Sequence, residues 1–94
     1  MNAKIWNHSE WLPMSNESNE CLKKDFTEKL RISGFHILGI NDHVFHPFGY
    51  TALWLLSESH FALHTFPEFG KYYIELSSCN FEYYVNMLNQ LNKK

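Results

Sequence analysis

Residues 50–78 read Tyr50-Thr51-Ala52-Leu53-Trp54-Leu55-Leu56, Ser57-Glu58, Ser59-His60-Phe61-Ala62-Leu63-His64-Thr65-Phe66, Pro67-Glu68-Phe69-Gly70, Lys71-Tyr72-Tyr73-Ile74-Glu75-Leu76-Ser77-Ser78. The first seven residues are almost continuously apolar, as expected of a central strand. Residues 60–65 form a second strand candidate. Side chains alternate along a strand, so His60, Ala62 and His64 share one face while Ser59, Phe61, Leu63 and Thr65 share the other. Pro67 to Gly70 reads as a turn. Residues 71–78, rich in aromatic and β-branched character, read as a third strand.

Working outward, residues 35–45 look like a strand interrupted at Asn41-Asp42, and Pro47 with Gly49 makes a break. Cys21, Leu22, Phe26 and Leu30 recur at helical spacing over 19–33, which places Cys21 on the apolar face. Ser18 or Asn19 can cap that helix and Gly34 can end it. Residues 13–19 are polar and turn-like, and residues 4–12 suggest an irregular or edge strand. Asn80 can cap a last helix whose Phe81, Tyr84, Val85, Leu88 and Leu91 form an apolar stripe. The order strand, helix, three or four strands, helix predicts an α+β fold. It is a two-layer α/β sandwich, an antiparallel sheet with helices on one face, spanning residues 1–94 as a single domain.

Composition bounds the function. The chain has 94 residues, 45% of them apolar and 17% aromatic, which argues for a packed core. A chain this short buries a modest share of its surface, so a dimer interface would help it. The net charge of −2 comes without a basic stripe, which argues against nucleic acid as a partner. No stretch approaches the roughly 18 consecutive apolar residues of a membrane span. The segment Met1-Asn2-Ala3-Lys4-Ile5-Trp6 lacks the apolar core of a leader. A cytoplasmic protein is expected, with Cys21 and Cys79 as free thiols. Two cysteines are too sparse for a zinc site, and no metal is expected.

Ser59 is the candidate for chemistry. By residue type alone it is more often an ordinary turn serine, and His60 and His64 are more often packed or surface histidines. Yet its hydroxyl directly follows Glu58 and can attack the Glu58 carbonyl, turning the amide into an ester. Removal of the Ser59 α-proton would then release the Glu58 carboxylate and leave dehydroalanine. Tautomerisation and hydrolysis would release ammonia and leave a pyruvoyl group. Histidine suits the proton transfers, with a reference pKa of about 6.5. Cys79, just before a helix cap, could shuttle a proton.

The run Leu55-Leu56-Ser57-Glu58-Ser59-His60, followed by His64-Thr65-Phe66-Pro67-Glu68-Phe69-Gly70 and then Cys79, resembles the bacterial S-adenosylmethionine decarboxylase proenzyme family. The resemblance runs from about Gly34 to Cys79. It implies self-cleavage at Glu58–Ser59 into 1–58 and 59–94, with Ser59 becoming a covalent pyruvoyl cofactor. It implies that His64 serves in processing, aided by Thr51 where the family usually has serine. Cys79 would protonate the substrate carbon after carbon dioxide leaves. Phe45 and Phe66 would sandwich the adenine, Phe66 standing where the family usually has Trp, and Glu68 would hold the ribose hydroxyls. The resemblance also implies a homodimer with shared active sites, Ser59 and Cys79 from one chain, Thr51, Phe45, His64 and Glu68 from the other.

A pyruvoyl carbonyl condenses with the substrate amine to a Schiff base that takes up the electrons released on decarboxylation. Aromatic rings suit a ligand carrying a purine and a sulfonium cation. The expected reaction is decarboxylation of S-adenosylmethionine, supplying the aminopropyl donor of polyamine (spermidine) biosynthesis. The alternatives are pyruvoyl-dependent decarboxylation of ornithine or arginine, and a non-catalytic regulatory paralogue. The family usually has Gly after the catalytic cysteine and a longer loop there, whereas here Asn80 follows Cys79 at once.

Overall fold

Alternating apolar residues in the 50–78 segment pair three strands side by side, and two further strands extend the sheet. The computed structural model describes residues 4–93. Met1 to Ala3, which open the segment read as lacking a leader core, lie outside the described residues, as does Lys94. The elements are β1 (Trp6–Pro13), α1 (Asn19–Ser33), β2 (Ile37–Val44), β3 (Tyr50–Leu56), β4 (Ser59–Phe66), a 3-10 turn (Pro67–Phe69), β5 (Lys71–Ser78) and α2 (Phe81–Leu91). The five strands form one sheet in the order β1-β5-β4-β3-β2, every pairing antiparallel. The antiparallel α+β sandwich is as expected, and residues 4–12 do contribute an edge strand.

Leu22, Phe26, Leu30 and Ser33 are buried along α1, one turn apart, so a single stripe meets the sheet. Ser18 caps the helix by accepting from the Cys21 N–H. Gly34 closes it at φ 112°, and a Cβ there would come within 2.7 Å of the Tyr83 ring, so a side chain fits neither the backbone nor the space. The stripe packs on Ala52, Trp54, Leu56, Phe61, Leu63, Ile74 and Leu76 from the helix-facing side of β3, β4 and β5. Each large side chain buried this way is worth about 1.5–3 kcal/mol. The buried Trp54 indole N–H donates to Thr27 Oγ1 at 3.0 Å, which removes the cost of enclosing it.

Four details differ from the sequence reading. Cys21 is exposed, because it sits about 100° round α1 from Leu22. The β2 strand runs through Asn41-Asp42 without a break, and its irregularity lies between Ile37 and Gly39. Asp42 is held rather than disruptive: Tyr50 donates a hydrogen bond to it at 2.6 Å and Lys23 pairs with it at 3.1 Å. Those contacts keep its carboxyl below the usual range, and burial together with Asp42 pushes the Tyr50 phenol up. On α2, Phe81 is exposed and packs against Trp6, while Met87 is the buried residue. The stripe is turned toward Tyr83, Tyr84, Met87 and Leu91 because α2 must meet α1 as well as the sheet, and Ser33 Oγ lies 3.4 Å from Met87 Sδ across that seam. Finally, β3 is interior, but only one of its faces is covered: Leu53 and Leu55 are 48% and 58% exposed.

Candidate active site

The β3–β4 hairpin carries candidate residues at both of its ends. Leu56 pairs with Ser59, so Ser57 and Glu58 alone make the turn. Glu58 has φ 57°, the left-handed region, the only non-glycine residue among those described to do so. A non-glycine residue there costs roughly 1–2 kcal/mol. The peptide proposed for cleavage therefore follows a strained, solvent-exposed residue. Ser59 itself is 8% exposed and faces the helices. Its neighbour on β5 is Ser78, with the two hydroxyl oxygens 3.2 Å apart. Cys79 follows Ser78, is exposed, and precedes Asn80, whose side chain caps α2 by accepting from the Tyr83 N–H.

The other end gathers the remaining candidates. Thr51 and His64 are register partners on the open face, and Thr51 Oγ1 lies 3.0 Å from His64 Nδ1. His64 also stacks on Tyr73 at a centroid distance of 6.3 Å. A cavity of about 340 Å³ opens beside them, lined by Phe45, Phe48, Gly49, Thr51, His64, Thr65, Phe66 and Glu68. Phe66 packs on Trp11 at 5.3 Å and Phe45 on His43 at 4.6 Å. Thr65 Oγ1 is buried with no partner among the described residues.

Thr51, His64, Phe45, Phe66 and Glu68 are thus brought together, as are Glu58, Ser59 and Cys79. The two groups are not brought to each other. At about 3.3 Å per residue, Ser59 and His64 stand about 17 Å apart along β4. They also project from opposite faces of the sheet. Sequence reasoning missed Ser78, Thr65 and Phe48. The register of the β4–β5 hairpin, fixed by its Pro67–Gly70 turn, was the signal that could have found Ser78.

Between the two ends, the open face carries Leu53, Leu55 and His60. With Gly39, Ile40 and Asn41 they line an apolar groove of about 430 Å³ that holds none of the chemistry-bearing pairs. Among the described residues no three His, Cys, Asp or Glu side chains are grouped to hold a metal ion. No helix among them is long and apolar enough to cross a membrane.

A profile described as S-adenosylmethionine decarboxylase matches residues 13–94, a span containing both ends of the hairpin. The chain belongs to the S-adenosylmethionine decarboxylase family. Among curated relatives in that family, S-adenosylmethionine decarboxylase proenzyme 2 of Bacillus cereus is 39% identical, over 60% of this chain and 52% of that protein. The S-adenosylmethionine decarboxylase proenzyme of Brevibacillus brevis is 40% identical, over 64% of this chain and 45% of that protein. The chain spans about half the length of the curated relatives it matches. The crystal structure of the adenosylmethionine decarboxylase from Aquifex aeolicus superposes with a TM-score of 0.74 and 18% identity, covering 100% of this chain and 85% of that one. This likeness shows the family's fold, and it includes β1, most of which precedes the matched span.

Proposed function

We propose that the chain is a proenzyme that cleaves itself at Glu58–Ser59, carries a pyruvoyl group made from Ser59, and decarboxylates S-adenosylmethionine. The product would be the aminopropyl donor used in spermidine synthesis. The observation that carries this reading is the split constellation: a strained Glu58–Ser59 peptide at one end of the hairpin and a Thr51–His64 pair beside an aromatic cavity at the other.

In the first step Ser59 Oγ bonds to the Glu58 carbonyl carbon, the C–N bond breaks, and the hydroxyl proton ends on nitrogen. Loss of the Ser59 α-proton then expels the Glu58 carboxylate, and hydrolysis releases ammonia. The left-handed Glu58 supports this assignment, because cutting the chain after it releases the constraint of a two-residue turn. His64, oriented by Thr51, suits the proton transfers.

Because His64 cannot reach Ser59 of its own chain, the partner of a proenzyme homodimer supplies it, and the cleaved protomers stay paired. An isologous pairing about an axis near Leu53 and Ala62, which are register partners, would lay the His64 end of one chain over the Ser59 end of the other. Exposed Leu53, Leu55 and Trp11 on that face supply apolar area to bury.

The pyruvoyl group, once formed, supplies the electron sink for loss of carbon dioxide. The residues around it have separate tasks. Phe45 and Phe66 flank a purine and attract a sulfonium, and Glu68 accepts hydrogen bonds from two ribose hydroxyls. Cys79 returns a proton to the substrate carbon. That role needs a free thiol, which suits a reducing compartment such as the cytoplasm.

Carbon dioxide release from carboxyl-labelled S-adenosylmethionine, run beside labelled ornithine and arginine, tests the reading. Release from S-adenosylmethionine alone is expected. Release only from ornithine or arginine would replace the substrate, and release from none would leave a non-catalytic paralogue.

A further inference from the structure

Given self-cleavage at Glu58–Ser59 as proposed above, we infer that Ser78 is a positioning residue for it, holding the Ser59 hydroxyl with its lone pairs left for attack on the scissile carbonyl. Ser78 lies directly across from Ser59 in the β4–β5 ladder and is fully buried. Its hydroxyl has fixed bonding. It donates to the Asn80 carbonyl at 3.1 Å and accepts from the Asn80 N–H at 3.0 Å. With its own hydrogen committed, it can only accept from Ser59, whose Oγ–H donates to it at 3.2 Å.

This arrangement does two things. It fixes the Ser59 rotamer, so the alcohol is not free to spin between productive and unproductive orientations. It also commits the hydroxyl hydrogen to Ser78, leaving the lone pairs of the Ser59 oxygen for attack. The attack itself stays balanced: the oxygen–carbon bond forms, the carbon–nitrogen bond breaks, and the Ser59 proton is delivered to the departing nitrogen. Ser78 neither keeps that proton nor bonds to carbon.

A turn-forming serine that merely launches α2 would have the same contacts with Asn80. The two roles separate experimentally. Freshly produced wild type, Ser78→Ala, Ser78→Thr and Ser78→Val are followed by intact mass over time, with thermal melting on each. The inference expects cleavage about tenfold slower in Ser78→Ala at an unchanged folded fraction. It expects Ser78→Thr to cleave faster than Ser78→Val, which has the same shape without a hydroxyl. If Ser78→Ala does not fold, Ser78→Cys replaces it with the same expected slowing. Wild-type rates in folded Ser78→Ala or Ser78→Cys, or equal rates in the Thr and Val variants, would overturn the role of Ser78 alone. A wild type that never cleaves would overturn the self-cleavage reading and this inference with it.

Discussion

The two ends of the β3–β4 hairpin share strands but obey different physical rules. At the turn end, Ser59 and Ser78 are enclosed, hydrogen-bonded to each other and tied to the cap of α2. A left-handed Glu58 sits beside them. At the far end, Thr51 and His64 line a cavity edged by phenylalanine rings and one carboxylate. That end has room for a ligand, and a buried hydroxyl on Thr65 with no partner among the described residues. On the proposed function, one end breaks a bond and the other receives a molecule. In a single chain they are too far apart to cooperate.

The largest effect expected from this contrast comes from mixing two inactive chains. Ser59→Ala lacks the proposed nucleophile and His64→Ala the proposed base, so neither should cleave alone. If sites are shared, co-refolding them in equal amounts puts an intact pair of ends into every mixed dimer. About half of the His64→Ala chains should then be cut, and none of the Ser59→Ala chains. No cleavage in the mixture, or cleavage of His64→Ala by itself, would show that the ends do not complement one another across chains.

A smaller effect separates processing from turnover. Cys79→Ala should still cut itself at least in part, yet decarboxylate about a hundredfold more slowly or inactivate by protonation at the wrong atom. Normal turnover, measured as carbon dioxide released per cleaved chain, would remove Cys79 from its assigned role.

The smallest effect sharpens the far end. Thr65→Val keeps the shape and deletes the unpartnered hydroxyl. Thermal stability should stay level or rise by about 1 kcal/mol, because an orphaned buried group is lost. The KM for S-adenosylmethionine should stay level, because that hydroxyl is enclosed on the helix-facing side of the sheet, away from His64. A several-fold rise in KM would mean that the hydroxyl reaches the ligand.

Much of this was legible in the sequence. Period-two alternation through Ser59–Thr65 assigned faces correctly, and Ser18, Gly34 and Asn80 marked both helices, because caps are local chemistry. What was not legible required two elements at once. Cys21 and Leu22 are both apolar in a one-dimensional reading, and only the direction of the sheet from α1 decides which is buried. Met87 replaced Phe81 on the packed side of α2 because α1 competes with the sheet for that helix. Asn41-Asp42 looked like a break until Tyr50 and Lys23 were placed around Asp42. At the candidate site, order and spacing marked Glu58, Ser59, His64 and Cys79 as candidates. Ser78 was not, since a serine at a strand end carries no signal until its partner across the ladder is known.

Self-cleavage is read most simply from the intact mass of freshly purified protein, followed over hours. The full-length mass should give way to two fragments, one ending at Glu58 and the other beginning at position 59 with a pyruvoyl in place of the serine and no free amine. A single undivided chain that persists with an ordinary serine at position 59 would contradict it.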